Sequence, residues 1–440
     1  MKTQVELNQI IKKGGKHVEG KGCQLEEDIM ERTSLKILLF GALFFVAVLA
    51  GGHYAISAAA QAPESIKIGC TAPLTGRLAA AGVEMKDGYE IGIQHINQAG
   101  GILVKEFGKR IPVKLIMFDD ESDPTKAASR YEKLYVDDKV TAYLGAYSTL
   151  INTSLIAVAE KNKVPIVVSN FAHLAPHKQG YRYLFSPFYK TWPDFPKIFD
   201  ALTDISGKEK PKRIAIVMSR TEWPMETAKV YKEKILKEGN YELVVDETYP
   251  LGSTDFSMII AKAKATRAEV WLSSPTPPEG AAMARQMKEL DYVPKLINLT
   301  QAAASRGWPG NSKDVGEYVV ALENWIPGLP WPGNDRLIED AKKRLGGQLP
   351  WCNVGTGYQD VQVLADAIER AGTLDREKIR DALAKTEMMT VGGPVKVRPD
   401  GTFETTVYLC QWQKGKYVPV WPKKYAVADA IYPTPKWGER

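Results

Sequence analysis

The sequence predicts an α/β protein of two doubly wound units, and three observations predict it. Short β-branched runs alternate with amphipathic helical stretches, the alternation restarts after Pro187, and 440 residues exceed one ordinary domain. Such alternation marks repeated strand, helix, strand units around a parallel sheet. A chain of this length divides into two lobes more readily than it builds one core.

The first strand, Ile66 to Ala72, runs into the turn Pro73-Leu74-Thr75-Gly76. That turn sits at a strand's carboxyl end, where open α/β sheets bind ligands. Met85, Tyr89, Ile93 and Ile96 recur at helical spacing, and Gly100-Gly101 can supply a left-handed helix end. Ile111 to Phe118 reads as the second strand. Asp123 followed by Pro124 reads as an N-cap and first helical position, with Ala127, Tyr131, Leu134 and Tyr135 as the buried stripe. Val140 to Leu144 is the third strand, Leu150 to Lys161 a helix, and Pro165 to Val168 the fourth strand. Past Pro187 a helix rich in aromatics opens the second unit. Strands then fall at Arg213 to Met218, Tyr241 to Val245, Glu269 to Leu272 and Leu296 to Leu299, with helices at Thr227 to Lys237, Phe256 to Ala265 and Glu279 to Leu290. The Pro/Trp/Gly-rich segment Trp325 to Gly333 breaks the pattern, as a crossover between lobes would. Three helices follow, the longest from Gly357 to Ala371, and then a β-rich tail from Gly392 to Val420.

Ile37 to Leu49 is an apolar run of signal-peptide length, preceded by Arg32 and Lys36 and followed by Ala58-Ala59-Ala60. It is shorter than the ~20 residues of a membrane span. We therefore expect residues 1–60 to be a signal peptide, the mature chain to start near Gln61, and the protein to be periplasmic or otherwise extracytoplasmic. No lipobox cysteine follows the run. A signal beginning at Met30 would have ordinary proportions, and an uncleaved anchor is the alternative.

The chain carries 58 basic and 52 acidic residues, of which residues 1–60 hold seven and six, so the remainder is nearly balanced. No basic stretch clusters, and nucleic acid is not expected as a partner. Cys70, Cys352 and Cys410 survive processing, an odd number that leaves at least one thiol unpaired; Cys70 reads as a buried inert thiol. His173 and His177 have helical spacing, but Pro176 between them interrupts the helix a metal pair needs, so no metal is expected. Gly-x-Ser-x-Gly, P-loop, His-Glu-x-x-His and complete Gly-x-Gly-x-x-Gly motifs are missing from the sequence after residue 60, and Gly355-Thr356-Gly357 is a fragment only. Neither catalysis nor a cofactor is expected.

Taken in order, Pro73-Leu74-Thr75-Gly76, Ile96-Asn97 with Gly100-Gly101, Asp119-Asp120 with Asp123-Pro124, Gly145 to Thr149, Gly357-Tyr358 and Gly393-Pro394-Val395 give the chain a family likeness. It resembles the type I periplasmic solute-binding proteins, specifically the branched-chain amino acid (Leu/Ile/Val-binding) group that feeds ABC importers. The resemblance implies two Rossmann-like lobes joined by three crossover strands, one small-molecule ligand in the cleft between them, an ABC permease in the membrane as partner, and a monomer. We expect lobe one to comprise residues 61–186 and 325–404, and lobe two residues 187–324 and 405–440. A ligand that touches both lobes would favour the closed state through its differential affinity. A membrane-anchored sensory ectodomain of the same fold is the rival reading.

Ser148 and Thr149 follow the third strand and precede a helix, so their hydroxyls and N–H groups can meet an anion at the helix's positive end; a simple N-cap would use the same groups. In the family this loop holds the ligand's carboxylate. Phe171, Ala172 and His173 match its second ligand loop, with a surface turn as the alternative. Trp223, after the strand ending at Met218, falls where the family places an aromatic wall; packing against its own helix is the alternative. Pro275 and Thr300 follow the next strand ends and should line the same cleft. Amino-acid binders of the family carry an aromatic and a carboxylate in those two loops, and this chain has neither. Arg77 stands in place of a common proline, beside the small residues Leu78-Ala79-Ala80-Ala81-Gly82, and could reach an anionic ligand or simply be solvated. Ser122 and Ser148 stand where the family's lobe-one disulfide falls. These departures point to a small carboxylate, amide or amino acid, with a ligand flatter or longer than leucine.

Overall fold

The computed structural model describes residues 61–440, so the expected signal peptide lies outside the described residues. The chain begins with β1 (Ile66–Ala72), α1 (Ala79–Gln98), the pair β2 (Ile102–Val104) and β3 (Lys109–Ile111), β4 (Val113–Asp119) and α2 (Pro124–Val136). It continues with β5 (Ala142–Leu144), α3 (Thr149–Lys161), β6 (Ile166–Val167), the single turn α4 (Ala175–Lys178) and β7 (Leu184–Phe185). The next stretch contains α5 (Lys197–Ser206), β8 (Arg213–Ser219), α6 (Glu222–Glu238), β9 (Glu242–Tyr249), α7 (Ser257–Ala265), β10 (Val270–Ser273) and α8 (Pro277–Glu289). It closes with β11 (Leu296–Leu299), α9 (Thr300–Ala303), α10 (Trp308–Ser312) and β12 (Val320–Glu323). Then come α11 (Asn334–Arg344), α12 (Cys352–Ala371), α13 (Arg376–Leu383), β13 (Glu387–Thr390), β14 (Gly393–Val397), β15 (Phe403–Glu404), β16 (Tyr408–Gln413) and β17 (Lys416–Trp421).

Two sheets organise these elements. The first has the order β4-β1-β5-β6-β7 and is parallel throughout. The second has the order β17-β16-β12-β11-β10-β8-β9, parallel from β12 to β9 and closed by the antiparallel strands β16 and β17. Parallel sheets survive only with both faces covered, and each sheet here has a core on either side. On the first sheet, Met85, Tyr89, Val361 and Leu364 of α1 and α12 fill one face, while Tyr131, Leu134, Ile151 and Leu155 of α2 and α3 fill the other. The second sheet is packed in the same way, by two further clusters. These are the two Rossmann-like lobes that the resemblance implies.

Three segments cross between the lobes, after β7, after β12 and between β15 and β16. One side chain ties all three. Asn324, just past β12, accepts from Tyr189 N–H at 2.7 Å and donates through Nδ2 to Thr405 Oγ1 and the Thr406 carbonyl, both at 3.2 Å.

The sequence reading needs correction in four places. Leu184–Phe185 is a fifth strand of the first sheet, too short to register as one. Trp223 lies in the first turn of α6, not in a preceding loop, because Pro224 is compatible with a helix's opening turn. Thr300 and Gln301 begin a one-turn helix. Finally, α12 starts at Cys352 rather than Gly357. Gly355 and Gly357 there permit close approach and do not break the helix: a Cβ at Gly355 would lie 1.9 Å from the Trp325 ring, and one at Gly357 would lie 2.9 Å from the Met85 carbonyl.

Candidate functional site

At the carboxyl ends of both sheets buried polar side chains set the loops, and α3, which follows β5, touches α6, which follows β8. In lobe one, β1 pairs with β4 so that Ala72 lies beside Asp119. The Asp119 carboxylate accepts from Leu74 N–H at 2.9 Å, Thr75 N–H at 3.2 Å, the Thr75 hydroxyl at 2.7 Å and Glu121 N–H at 2.8 Å. Partial burial opposes ionisation, but these donors hold the carboxyl below its usual range. The Pro73 to Gly76 turn is thus held by the motif that follows β4. Arg77, at its end, is exposed to solvent.

The loop after β5 is held by Asn152, whose Oδ1 accepts from Ala146 N–H and whose Nδ2 donates to the Ala146 carbonyl, both at 2.8 Å. That leaves Ser148 at φ +82° and ψ 146°, outside the conformations L residues favour. Its hydroxyl does not cap α3 and has no hydrogen-bond partner, although the Oγ atom is fully buried. Thr149 is the first residue of α3.

The loop after β6 hangs on Asp360 of α12. The buried carboxylate accepts from Ser169 N–H at 2.8 Å and Ser169 Oγ at 2.7 Å, and burial pushes its pKa up to about 7. Phe171 is wholly buried in the lobe-one core, and its carbonyl accepts from Lys190 Nζ. Ala172 belongs to the core cluster of lobe two, so this loop reaches from one lobe into the other. His173 places Nε2 3.9 Å from Glu226 of α6, and its buried Nδ1 has no partner. His177 donates Nδ1–H to the Asp400 carbonyl at 2.9 Å, and burial lowers its pKa to about 3, so it is neutral.

In lobe two, Glu226 accepts from Leu174 N–H at 3.0 Å and from the Thr191 hydroxyl at 2.5 Å, linking α6 to the lobe-one loop and to the first crossing. One turn earlier, Trp223 packs edge-on against Phe195 at 5.7 Å and buries an Nε1–H that has no acceptor. Glu279 shapes the neighbouring loops by accepting from Gly252 N–H at 2.6 Å and Thr276 N–H at 2.8 Å. Pro275 lies against Gly280 of α8, and Ala302 of α9 lies against the same glycine. Thr300 donates to Asn298 Oδ1 at 3.1 Å. Its neighbour Gln301 lies beside the hydroxyl of Tyr147, the residue before Ser148.

The expected residues therefore fall into two groups. The fold brings Ser148, Thr149, Ala172, His173 and Trp223 to where α3 and α6 touch and the loop after β6 meets lobe two, whereas Pro275 and Thr300 pack against residues of lobe two itself. The Phe171 ring is turned into a core, and Arg77 is out in solvent. Sequence reasoning missed Glu226, Asp360, Asn152 and Tyr147. Glu226 lies three residues past Trp223 on the same helical face and could have been found by that spacing; the others carry no local signal.

Comparison with known proteins agrees with the architecture. Residues 65–416 match the model of a family described as periplasmic binding protein. The Leu/Ile/Val-binding protein homolog 7 of Brucella suis is 24% identical over 412 residues, covering 89% of this chain and 98% of that one. A branched-chain amino acid transporter substrate-binding protein of Streptococcus pneumoniae, solved with isoleucine, superposes with TM-score 0.70 at 20% identity, covering 84% of this chain and 100% of the other. A solute-binding protein of R. palustris, solved with benzoate, superposes with TM-score 0.67 at 18% identity, covering 84% and 98%.

Proposed function

Because the chain belongs to the periplasmic binding protein family, we propose that it is an extracytoplasmic carrier that closes on one small carboxylate, amide or amino acid and delivers it to an ABC permease. It acts without catalysis, as a monomer, after export through the signal in residues 1–60. The lobes are residues 61–186 with 325–404, and 187–324 with 405–440. The observation that carries this reading is a set of buried polar atoms without partners at the seam: Ser148 Oγ and His173 Nδ1 from lobe one, Trp223 Nε1 from lobe two. Each unmatched group costs about 1–3 kcal/mol, and an indole N–H can only donate. A ligand offering an acceptor to each lobe satisfies all three and rewards closure. A carboxylate does so, with Ser148 and Thr149 at the start of α3 and Trp223 opposite. Ala172, Pro275 and Thr300 give the cleft its walls, Phe171 backs the loop from within the core, and Arg77 stands at the mouth as a long-range attractant.

Titration calorimetry with isoleucine, benzoate and their amides tests the proposal, alongside mass spectrometry of small molecules that survive gentle purification. We expect one site per chain and a Kd in the micromolar range or tighter. No binding across that panel, with nothing retained in the mass spectrum, would remove the carrier reading.

A further inference from the structure

Behind Tyr147 and Gln301 the seam contains two carboxylates that the ligand reading does not use. Glu84 comes from α1 of lobe one and is 6% exposed; Glu323 ends β12 in lobe two and is 4% exposed. Glu84 accepts from Asn353 Nδ2 at 2.8 Å, and Glu323 accepts from the Tyr417 hydroxyl at 3.0 Å, with the Cys352 thiol beside it. Among the described residues no lysine, arginine or histidine forms an ion pair with either. The basic group whose field reaches Glu84, Arg306, is exposed and bonded to Gln348. Two acidic neighbours raise the cost of charge here, Asp87 beside Glu84 and Glu84 itself beside Glu323, while the Tyr417 hydroxyl and the Cys352 thiol beside Glu323 favour its charged form without outweighing burial.

The cover over these carboxyls is made between lobes. Trp351, at the head of α12, donates to the Ala304 carbonyl and stacks on Trp412 and Tyr417 at 5.8 Å and 5.5 Å. Cys352 reaches the same carbonyl at 3.6 Å. Parting the lobes breaks this cover and lets water reach both carboxyls.

We propose that Glu84 and Glu323 are a proton lock on the cleft: the closed arrangement holds them as neutral acids, and opening releases their protons to water. The inference rests on the clamp reading above. A buried, unpaired carboxylate is costly enough to stay protonated instead. Burial, as the largest cause, puts the Glu84 pKa at about 7 and the Glu323 pKa at about 8, against 4.5 for an ordinary glutamate. The two interact, so their steps belong to the pair. Closed binds more protons than open between about pH 5 and 8, so closure is favoured at low pH and lost as pH rises. The closed-to-open ratio falls up to tenfold per pH unit for each proton released.

Small-angle scattering of the ligand-free protein at pH 5.5 and 8.5 reads this directly. A smaller radius of gyration at pH 5.5 is expected, together with loss of the pH dependence in the double variant Glu84→Gln, Glu323→Gln, whose amides mimic the neutral acids. The single variant Glu323→Gln should retain part of it. Equal radii in the wild type overturn the lock, as does an undiminished pH response in the double variant. Calorimetry with isoleucine and benzoate reports separately on the carrier: binding without a pH-dependent radius rejects the lock alone, and a pH-dependent radius without binding rejects the carrier alone.

Discussion

Ser148 combines an unfavourable backbone conformation with a buried hydroxyl that bonds to nothing. Backbone strain of that kind costs about 1–3 kcal/mol and persists where the surroundings over-determine it, which here means Asn152 gripping Ala146. The strain and the hydroxyl can be separated. Ser148→Ala keeps the strain but removes the unmatched hydroxyl and should raise stability by about 1 kcal/mol, whereas Ser148→Gly also relieves φ +82° and should raise it by about 2 kcal/mol. Both should weaken binding of a carboxylate ligand about tenfold, the value of one lost hydrogen bond. Thermal melts with calorimetry check this, and a loss above ~1 kcal/mol in the alanine variant would reassign the hydroxyl to structure. The position of Ser148 was legible, since a serine between strand and helix stands out. Its φ and its failure to cap were not, because both arise from Asn152, four residues along on the next helix.

Among elements, α1 and α12 show where periodicity misleads. The stripe Met85, Tyr89, Ile93 was readable because hydrophobic spacing reports burial directly. The start of α12 was not, since glycine reads as a breaker until its neighbour is known. Between these helices glycine is a spacer: a Cβ on Gly88 would fall 2.2 Å from the Val354 carbonyl. That oxygen is backbone and cannot swing away. Gly88→Ala should therefore destabilise lobe one by about 2 kcal/mol or more, despite alanine's better helix propensity. Gly310→Ala in α10 is the control, with nothing within 4 Å of its Cβ, and should be neutral or slightly stabilising. Urea unfolding of the two variants decides; equal effects would mean the interface relaxes freely. Glu84 lies one helical turn before Gly88, so the same close packing helps seat it at the seam.

At the scale of the molecule, the alternating pattern and the restart after Pro187 were enough for two lobes, because covering both faces of a parallel sheet demands that pattern. How the lobes touch was hidden, since Glu226, Asn324 and Lys190 act across more than a hundred residues or between segments with no shared period. Lys190 is the sharpest case. It sits on the first crossing, wholly buried, donating to the Phe171 carbonyl and to Ser186 Oγ at 2.7 Å, with Nζ 4.6 Å from the Phe171 ring centre. Burial, only partly offset by Asp194 and other carboxylates, lowers its pKa from 10.5 to about 7. The unfolded chain keeps that proton up to about pH 10.5, so between pH 7 and 10.5 unfolding takes one up and stability rises with pH. The slope from this residue alone reaches about 1.4 kcal/mol per pH unit. Guanidinium unfolding at pH 7.5 and 9.5 isolates it when wild type is compared with Lys190→Met. The wild type should gain about 2 kcal/mol more than the variant over that interval, every other group cancelling in the difference. Equal gains would show that Lys190 stays protonated in the fold and that the crossing is held by an ion, not by a neutral amine.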